Sequence, residues 1–375
     1  DEKEKEYFLN LNMKAIDKAI SSSAYESALI LTRVAIKLLP ENSWEIMYGN
    51  SFELYKNLAT AEYLNGNDKH AENCFDILLK NAKTNLERAN VNEIRISYYT
   101  SKSKLKEALE TGIETLNIIG FPLPELSQEA VVGLIGEANN RLGDKSIESL
   151  LELPLIDDQL KLAALRILST SLAPAFIANP GYFPILVLKM VNISLEHGNS
   201  SIAGFGYTLY GFILGSILGN YEVGQKFGEL GVTLIDKLNA KDMKCKTFFF
   251  FAGMINHWKK HIKENKTYFL ASLESGIDSG DFQYSSYSIN YLLFQPIHSR
   301  ENLEKIKENS RSLYKKMISL NQEDSRKAFL LWEQLIINLT EFKDDVFSLK
   351  GEKFDEKEEL KLWQEVQNVS CLFWY

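Results

Sequence analysis

The sequence predicts an all-α protein built from helical hairpins, and two features of the residue order carry this prediction. Apolar residues recur at helical spacing almost throughout the 375 residues, as in the stripe Ala28, Leu31, Ala35 and Leu39. Segments that alternate polar and apolar residues between turn dipeptides, which would indicate strands, are not found. The breaks between the stripes contain Gly, Asn, Asp or Pro, so we expect helices of about 15 residues joined by short turns.

These turns can be located in order along the chain. The predicted helix boundaries are residues 39–43, 65–68, 120–124, 179–181, 197–200, 218–220 and 279–281. In the first of them, Ser43 is expected to be the N-cap of the following helix. Between residues 150 and 172 the sequence predicts a loop and then a long helix from Asp158 to about Leu172.

One segment has the spacing of a known helical repeat. Ala59 and Tyr63 fall on one helix, Gly66 in the turn, and Ala71 and Phe75 on the next helix. Small residues let two helices approach closely, an aromatic fills the space beside them, and the spacing matches the tetratricopeptide pattern. Degenerate copies are expected around Ala28, from Ile96 to Ala108, from Gly211 to Gly231 and from Asn256 to Phe269.

The predicted fold is therefore an α-solenoid, in which tetratricopeptide-like helical-hairpin repeats form a right-handed superhelix. Residues 1–123 are expected to form N-terminal repeats, 124–181 connecting helices, and 182–375 a second block truncated at its C-terminus. Neither end of the sequence resembles a natural terminus, so we expect a fragment of a longer protein. The rival interpretation is a nonrepetitive all-α enzyme domain.

The net charge and the positions of the cysteines argue against several classes of function. The net charge of −8, without a basic stripe, argues against a nucleic-acid partner. Cys74, Cys245 and Cys371 lie far apart, which disfavours a disulfide framework or a zinc site and fits a cytoplasmic protein. The uncharged run 201–221 is long enough for a membrane span, but its glycines suit a closely packed helix of a globular protein equally well. No span, cofactor or metal is expected.

Several runs match the known catalytic or metal motifs only in part. Residues 219–226 have the glycine spacing of a P-loop, but Gln225 stands where lysine is required. His257 and His261 have the spacing of metalloprotease ligands, yet the intervening lysines and the missing glutamate disfavour a metal. The pairs at 157–158, 344–345 and 358–359 are expected to favour helix N-termini rather than to act as an acid and base. The chain is thus expected not to be an enzyme by itself.

Several motifs together resemble a family. They are the run 186–200, Tyr207-x-x-Tyr210-Gly211, the run 218–224, Phe251-x-x-x-Ile255-Asn-His-Trp258 and the run 120–124. They look like the tetratricopeptide-like region of very large bacterial signalling proteins. The resemblance implies neighbouring domains of the protein-kinase-like, STAND-type ATPase, GAF or PAS, and histidine kinase or cyclase kinds. It implies a non-catalytic, cytoplasmic scaffold that regulates these neighbours by protein–protein or interdomain contact.

Two further interpretations stay open, namely a sensor that binds a small molecule or peptide in the concave face, and a freestanding repeat adaptor or effector. Aligning the repeats on their Gly and Ala landmarks predicts which side chains face inward. The candidates in the first block are Glu53, Lys56, Thr60, Tyr63, Asn90, Glu93, Ser97 and Thr100. Those in the second block are Leu209, Ile213, Phe250, Met254 and His257. The groove is thus expected to be polar in the first block and apolar in the second.

Overall fold

A computed structural model describes residues 2–21, 24–341, 347–365 and 371 of the chain. Within these residues the regular structure is helical, and the only pairings of the β type are two isolated bridges, Leu155 with Asn199 and Lys350 with Asp355. The all-α prediction is therefore confirmed. The chain divides into two units, Asp1–Gly206 and Tyr207–Tyr375. The right-handed superhelix and the division at residues 123 and 181 stay predictions.

The first unit contains helices that pack against one another, and the start of a further helix. Its helices are α1 (Glu2–Ser21), α2 (Tyr25–Leu38), α3 (Ser43–Ile46), α4 (Tyr48–Leu64), α5 (Asp68–Asn81), α6 (Asn85–Ser101), α7 (Leu105–Ile118), α8 (Gln128–Leu142), α9 (Gln159–Thr170), α10 (Leu172–Ala178), α11 (Tyr182–His197) and α12 (Ser201–Phe212), within which the unit boundary falls. Helices α1 and α2, α4 and α5, and α6 and α7 pack side by side as hairpins. Helix α9 packs against α6, and α8 packs against α11. The predicted connecting helices thus pack within the first unit.

The repeat residues hold the hairpin of α4 and α5 together. Ala59, Ala71 and Phe75 are almost completely buried in one cluster, as the tetratricopeptide spacing predicts. The turn between the two helices runs through Gly66, whose φ of +78° lies in the left-handed region that favours glycine. Each small residue removes side-chain volume between the helices, so that the backbones can approach.

The sequence predicts the start of α9 but not the starts of α3 and α6. Asp158 is the N-cap of α9, and its carboxylate accepts hydrogen bonds from the backbone N–H groups of Leu160 and Lys161, at 2.9 and 3.2 Å. The prediction for Ser43 was wrong, because Ser43 is the first residue of the one-turn helix α3 and lies buried. The capping box of Thr84 and Glu87 at the start of α6 was missed.

The second unit continues with helical hairpins of a less regular kind. Its helices are α13 (Tyr221–Lys237), α14 (Lys241–Phe250), α15 (Asn265–Ser279), α16 (Phe282–His298), α17 (Leu303–Ser319), α18 (Glu323–Thr340) and α19 (Glu356–Glu365). One π-helical turn, Ile213–Ile217, follows α12, and another, Phe251–Ile255, follows α14. A π-turn inserts one residue into a helix and therefore rotates the face presented by the residues after it.

Two glycines mark a close helix crossing in the second unit. A Cβ atom built on Gly211 would lie 2.5 Å from the carbonyl oxygen of Gly224 and 2.9 Å from the backbone nitrogen of Gly228. A Cβ on Gly224 would in turn lie 2.6 Å from the carbonyl oxygen of Gly211. The close packing expected from the glycine spacing is therefore present, and it explains Gly224 of the P-loop-like run without a phosphate, whereas Gly219 of that run has a left-handed φ of +75°.

One stretch of the described residues, Gln159–Ala178, is long and apolar enough to cross a membrane by length and composition. It consists of α9 and α10, and half of its apolar window is buried inside the protein. It carries Arg166, which is ion-paired with Glu93 of α6. A helix buried in the core of a globular unit passes the same length and composition test, so this stretch is weak evidence for a span.

Candidate functional site

A cavity of about 430 Å³ lies between α4, α6 and α9 in the first unit. We call it the polar groove. It is lined by Lys56, Thr60 and Tyr63 from α4, by Asn90, Glu93, Ile94 and Ser97 from α6, and by Arg166 from α9. Among the first-block candidates, Glu53 and Thr100 do not line it. The structure therefore gathers most of the predicted polar residues around one space.

Helical spacing explains why these side chains share a space. Lys56, Thr60 and Tyr63 are four and three residues apart, which places them on one face of α4. Asn90 and Ser97, seven residues apart, lie on one face of α6 in the same way. Helices α4 and α6 contact each other, and both pack on the buried cluster around Phe75 and Tyr98. The helical register counted from Gly66 and Ala71 thus places these residues on the helix faces that line the groove.

Arg166 closes the groove from α9. Its Nε donates to Oε2 of Glu93 at 2.8 Å, and its Nη2 donates to Oδ1 of Asn90, also at 2.8 Å. The two charged side chains are about one third exposed, so the guanidinium is held in place and still reaches solvent. Arginine has five N–H donors in a fixed plane, so donors remain for a further acceptor in the groove.

Sequence reasoning missed Arg166, because it follows its partners Asn90 and Glu93 by more than seventy residues. A usable signal existed in the chain itself. Arg166 stands alone in the apolar part of α9, flanked by Leu165 and Ile167, which are both completely buried. A charged residue in such a setting indicates an ion pair with another element. Ile94 was missed as well, because the candidate list kept only one polar stripe of α6.

Lys56 supplies the second cation of the groove. Its Nζ lies 2.9 Å from both carboxylate oxygens of Glu53, one turn earlier on α4. Thr60 and Ser97 donate their hydroxyl protons to backbone carbonyls of the preceding turn, those of Lys56 and Glu93, at 3.1 and 3.2 Å. Their oxygen lone pairs remain able to accept. The groove therefore offers two paired cations, hydroxyl acceptors and an amide, with charges that balance.

Tyr63 is the largest side chain of the groove. Its ring lies 6.1 Å from that of Tyr98, centroid to centroid, in an edge-on arrangement. Burial raises the pKa of Tyr63 to about 12, with a smaller contribution from Tyr25. The phenol is thus neutral near pH 7 and can donate a hydrogen bond into the groove.

The second-block candidates do not line a comparable groove. Leu209 and Ile213 are buried, at 0 and 2% exposure, so they cannot contact a partner. Phe250 packs half-buried against the aromatic cluster around Phe249, and Met254 packs half-buried beside Val232. A helix that is apolar on all sides is normally buried on all sides, and nearly all of α12 is buried. The assignment of Leu209 and Ile213 to a concave face was therefore wrong.

The two histidines with metal-ligand spacing make contacts with nearby residues of the chain. The π-turn Phe251–Ile255 ends before His257, the 3-10 segment Asn256–Trp258 contains His257, and the backbone of His261 is extended, so the two imidazoles do not share the face of one α-helix. Nδ1 of His261 accepts from the backbone N–H of Lys263 at 3.1 Å, and His257 contacts the ring of Trp258. Burial lowers the pKa of His257, against a smaller raising effect of the Ala252 backbone, so this imidazole is neutral at pH 7.

Among the described residues, the paired carboxylates lie at the N-terminal ends of helices. Asp158 caps α9 and also contacts Nζ of Lys161 at 3.1 Å. The hydrogen bonds from Lys161 lower the pKa of Asp158 below its ordinary value, so it is a poor general acid. Glu358 and Glu359 lie in the first turn of α19. The pair at 344–345 and most of the predicted truncated end lie outside the described residues.

Comparison with known proteins shows a similarity to a signalling protein. No family model matches the chain. The hybrid signal transduction histidine kinase G of Dictyostelium discoideum is 23% identical over 328 residues, which include 78% of this chain. The match covers 9% of the length of that kinase. This weak homology supports the context of a signalling protein. It comes from Dictyostelium, so the bacterial origin expected from the resemblance stays a prediction, as do the tetratricopeptide and STAND assignments.

Proposed function

We propose that this chain is a non-catalytic helical-repeat scaffold inside a larger, cytoplasmic signalling protein of the histidine kinase type. The observation that carries the proposal is the extent of the similarity, since most of this chain matches a small fraction of a hybrid histidine kinase. A segment of that kind acts through its neighbours. In this proposal the hairpins stack as tetratricopeptide-like repeats in a right-handed superhelix and regulate a kinase or ATPase in the same protein.

The chemistry of the described residues supports a scaffold rather than a catalyst. Cys74 and Cys245 are buried, and burial raises the pKa of both thiols to about 12, so neither forms the thiolate that a nucleophile needs. Cys371 is buried in the same way. His261 accepts a hydrogen bond from the backbone of Lys263, Asp158 caps α9, and Glu358 and Glu359 lie in the first turn of α19. The polar groove holds donors and acceptors without an activated group.

We infer that the polar groove holds a segment of a neighbouring domain or of a partner protein. Its two cations are already neutralised by carboxylates, so a ligand gains hydrogen bonds and shape rather than net charge attraction. An extended peptide has alternating donors and acceptors that fit such a lining. The groove opens to solvent through the exposed parts of Arg166 and Glu93, so a segment can enter without unfolding the helices.

A test of this proposal uses the full-length protein that contains the chain, with autophosphorylation as the readout. Ser97→Tyr puts a ring into the groove, and Thr111→Tyr on α7 is the matched control. Both hydroxyls donate to the carbonyl four residues earlier, but Thr111 lies outside the groove. We expect Ser97→Tyr to change the rate of autophosphorylation several-fold and Thr111→Tyr to leave it unchanged. Equal rates in the two variants would remove the groove from the proposal.

The isolated chain tests the non-catalytic part separately. We expect neither ATP hydrolysis nor phosphorylation of the chain when it is incubated with ATP and Mg²⁺ alone. Hydrolysis above the level of a heat-denatured sample would overturn the scaffold proposal, whatever the groove variants do.

A second candidate function is a sensor of a small molecule. Pockets that bind such ligands have volumes of roughly 300–1,000 Å³ and a few convergent polar groups, and the groove of about 430 Å³ meets both conditions. Thermal unfolding with a panel of metabolites separates the two functions. A ligand that stabilises the wild type and the Thr111→Tyr variant, but not the Ser97→Tyr variant, would favour the sensor.

A further inference from the structure

Within the polar groove, one guanidinium orients two neighbouring side chains of α6. Nη2 of Arg166 donates to Oδ1 of Asn90, and Nε donates to Oε2 of Glu93, each at 2.8 Å. Asn90 and Glu93 are three residues apart, so they lie on the same face of the helix. Because a guanidinium has donors only, the amide of Asn90 must turn its oxygen toward Arg166 and its nitrogen away from it. The orientation of both side chains is thus fixed.

Each of these two side chains keeps one polar atom for a further partner. Nδ2 of Asn90 and Oε1 of Glu93 make no hydrogen bond to another described residue, and solvent reaches both atoms. The nitrogen is a donor and the carboxylate oxygen is an acceptor. Since both side chains are bonded to the same guanidinium, this face of α6 presents an N–H donor beside a carboxylate acceptor.

A donor beside an acceptor matches a primary carboxamide. Such a group carries its oxygen and its NH2 on the same carbon, so its oxygen accepts from Nδ2 of Asn90 while its NH2 donates to Oε1 of Glu93. The trans peptide group of a main chain is a poorer match, because its C=O and N–H point in opposite directions. Tyr63 and Ile94 also line the groove, and they offer a surface for the apolar stem that carries the carboxamide.

We propose that the polar groove binds a primary carboxamide through Asn90 and Glu93. This inference rests on the proposed function, because it names the chemical group by which the groove holds its occupant. In a protein segment the group is the side chain of a glutamine or an asparagine. In a free small molecule it is the amide of a compound such as glutamine or nicotinamide.

The charges of the groove favour a carboxamide over a charged group. Lys56 and Arg166 are each paired with a glutamate. A carboxylate in the same place would put a negatively charged oxygen against Oε1 of Glu93 with no proton between them. An ammonium group would meet the N–H donors of Asn90 and the guanidinium of Arg166. A neutral group that both accepts and donates avoids both conflicts.

Matched pairs of an amide and its acid test the proposal on the 375-residue chain. One pair is nicotinamide and nicotinate, and the other is N-acetyl-glutamine methylamide and N-acetyl-glutamate methylamide. Within each pair only the carboxamide or carboxylate differs, so the ratio of the two dissociation constants isolates the recognised group. Ligand-detected NMR measures weak binding of this kind. We expect each amide to bind roughly fivefold or more tightly than its acid.

The variant Glu93→Gln makes a sharper prediction. Its new amide must also turn its oxygen toward Arg166, so the acceptor beside Nδ2 of Asn90 becomes a second donor. Two donors fit a carboxylate, and we therefore expect the preference to reverse in favour of the acids. Glu114→Gln on α7, an exposed position outside the groove, is the matched control and should keep the wild-type ratio.

Urea midpoints of the variants are compared with the wild type before binding is measured. Asn90→Asp is the second variant, because it can still pair with Arg166 but has an oxygen in place of the N–H donor. It should lose amide binding, and it tests the proposal on its own if Glu93→Gln is unstable. Acids that bind the wild type as tightly as amides, no binding of any probe, or an unchanged amide preference in Glu93→Gln overturns the proposal.

The full-length protein identifies the source of the carboxamide. If added glutamine or nicotinamide changes the rate of autophosphorylation, a free molecule occupies the groove. If neither does while Glu93→Gln alters the rate, the carboxamide belongs to a protein segment. If Ser97→Tyr leaves the rate unchanged although the isolated chain prefers amides, the scaffold role of the groove is wrong and the carboxamide site stands.

Discussion

Arg166 of α9 donates its Nε proton to Oε2 of Glu93 on α6, across 2.8 Å. This bond joins the third wall of the polar groove to a residue that precedes Arg166 by 73 positions in the sequence. A second bond from the same guanidinium to Asn90 fixes the plane of the group. The shape of the groove therefore depends on a polar contact between distant segments as well as on the packing of the apolar faces.

The first prediction concerns the strength of this pair. In a double-mutant cycle of Arg166→Ala and Glu93→Ala, we expect a coupling free energy of about 1 kcal/mol, because the pair is two-thirds buried and fixed by Asn90. Urea unfolding at low and high salt measures it, and the coupling should fall only slightly with salt. The exposed pair of Lys106 and Glu110, at 3.8 Å, is the control and should show almost no coupling. Equal couplings would mean that Arg166 is not held as the structure shows.

The second prediction compares glycine-to-alanine substitutions at two positions, where they should have opposite effects on the free energy of unfolding. Gly211→Ala puts a methyl group against the backbone of Gly224 and Gly228, which cannot move aside, so we expect a loss of roughly 1–3 kcal/mol in unfolding free energy. Gly136→Ala on α8 meets nothing within 4 Å and should stabilise by up to about 1 kcal/mol through helix propensity. Chemical denaturation of both variants tests the pair. An unchanged or raised midpoint for Gly211→Ala would contradict the close crossing.

The outcome at the groove shows what the sequence can specify. Gly66, Ala71 and Phe75 are each fixed by steric demands of one hairpin, so their spacing sets the register of α4 and its neighbours. From that register the inward positions Lys56, Thr60, Tyr63, Asn90, Glu93 and Ser97 could be predicted as one surface. Arg166 could not be placed, because its partners are set by how α9 packs on α6, and the local spacing contains no information about that contact.

In the second unit the spacing of residues does not predict which side chains face a groove, and the reasons are physical. Helix α12 is apolar on every side, so periodicity cannot distinguish a concave face from a buried one, and Leu209 lies in the core. The π-turns after α12 and α14 add residues that rotate the following side chains. A register counted from glycines therefore loses its phase at Ile213 and again at Met254. The exposure of Ile217 and Leu218 has the same origin, and the spacing of apolar residues does not predict it.

The third prediction is a pH dependence of stability that arises from the cysteines. Burial raises the pKa of Cys74 and of Cys245 to about 12, whereas an unfolded thiol has a pKa of about 8.5. Between these values the unfolded chain releases protons that the folded chain keeps, so stability is fully present below about pH 8.5 and falls as the pH rises. At pH 9.5 the loss should reach about 1 kcal/mol for each thiol.

Urea unfolding of the reduced protein at pH 7.5 and 9.5 measures this loss. The double variant Cys74→Ala/Cys245→Ala has no such thiols, and its unfolding free energy should change clearly less between the two pH values. Both thiols should also resist a thiol reagent until urea unfolds the chain. Fast labelling of the native protein at pH 8 would show that these cysteines are accessible and that the buried placement is wrong.

The last prediction concerns the start of α6, the helix that supplies half of the groove lining. Oγ1 of Thr84 accepts from the backbone N–H of Glu87 at 3.1 Å, and Oε2 of Glu87 accepts from the backbone N–H of Thr84 at 2.9 Å. Thr84→Ala leaves a helix N–H group without its acceptor, so we expect a loss of about 1 kcal/mol in unfolding free energy. Thr111→Ala in the middle of α7 is the control. Its hydroxyl only donates to a carbonyl that is already part of the helix, and alanine has the higher helix propensity, so the variant should be neutral or slightly more stable. If both variants unfold at the wild-type urea concentration, the capping box contributes nothing, and the position of Asn90 and Glu93 depends on the packing of α6 alone.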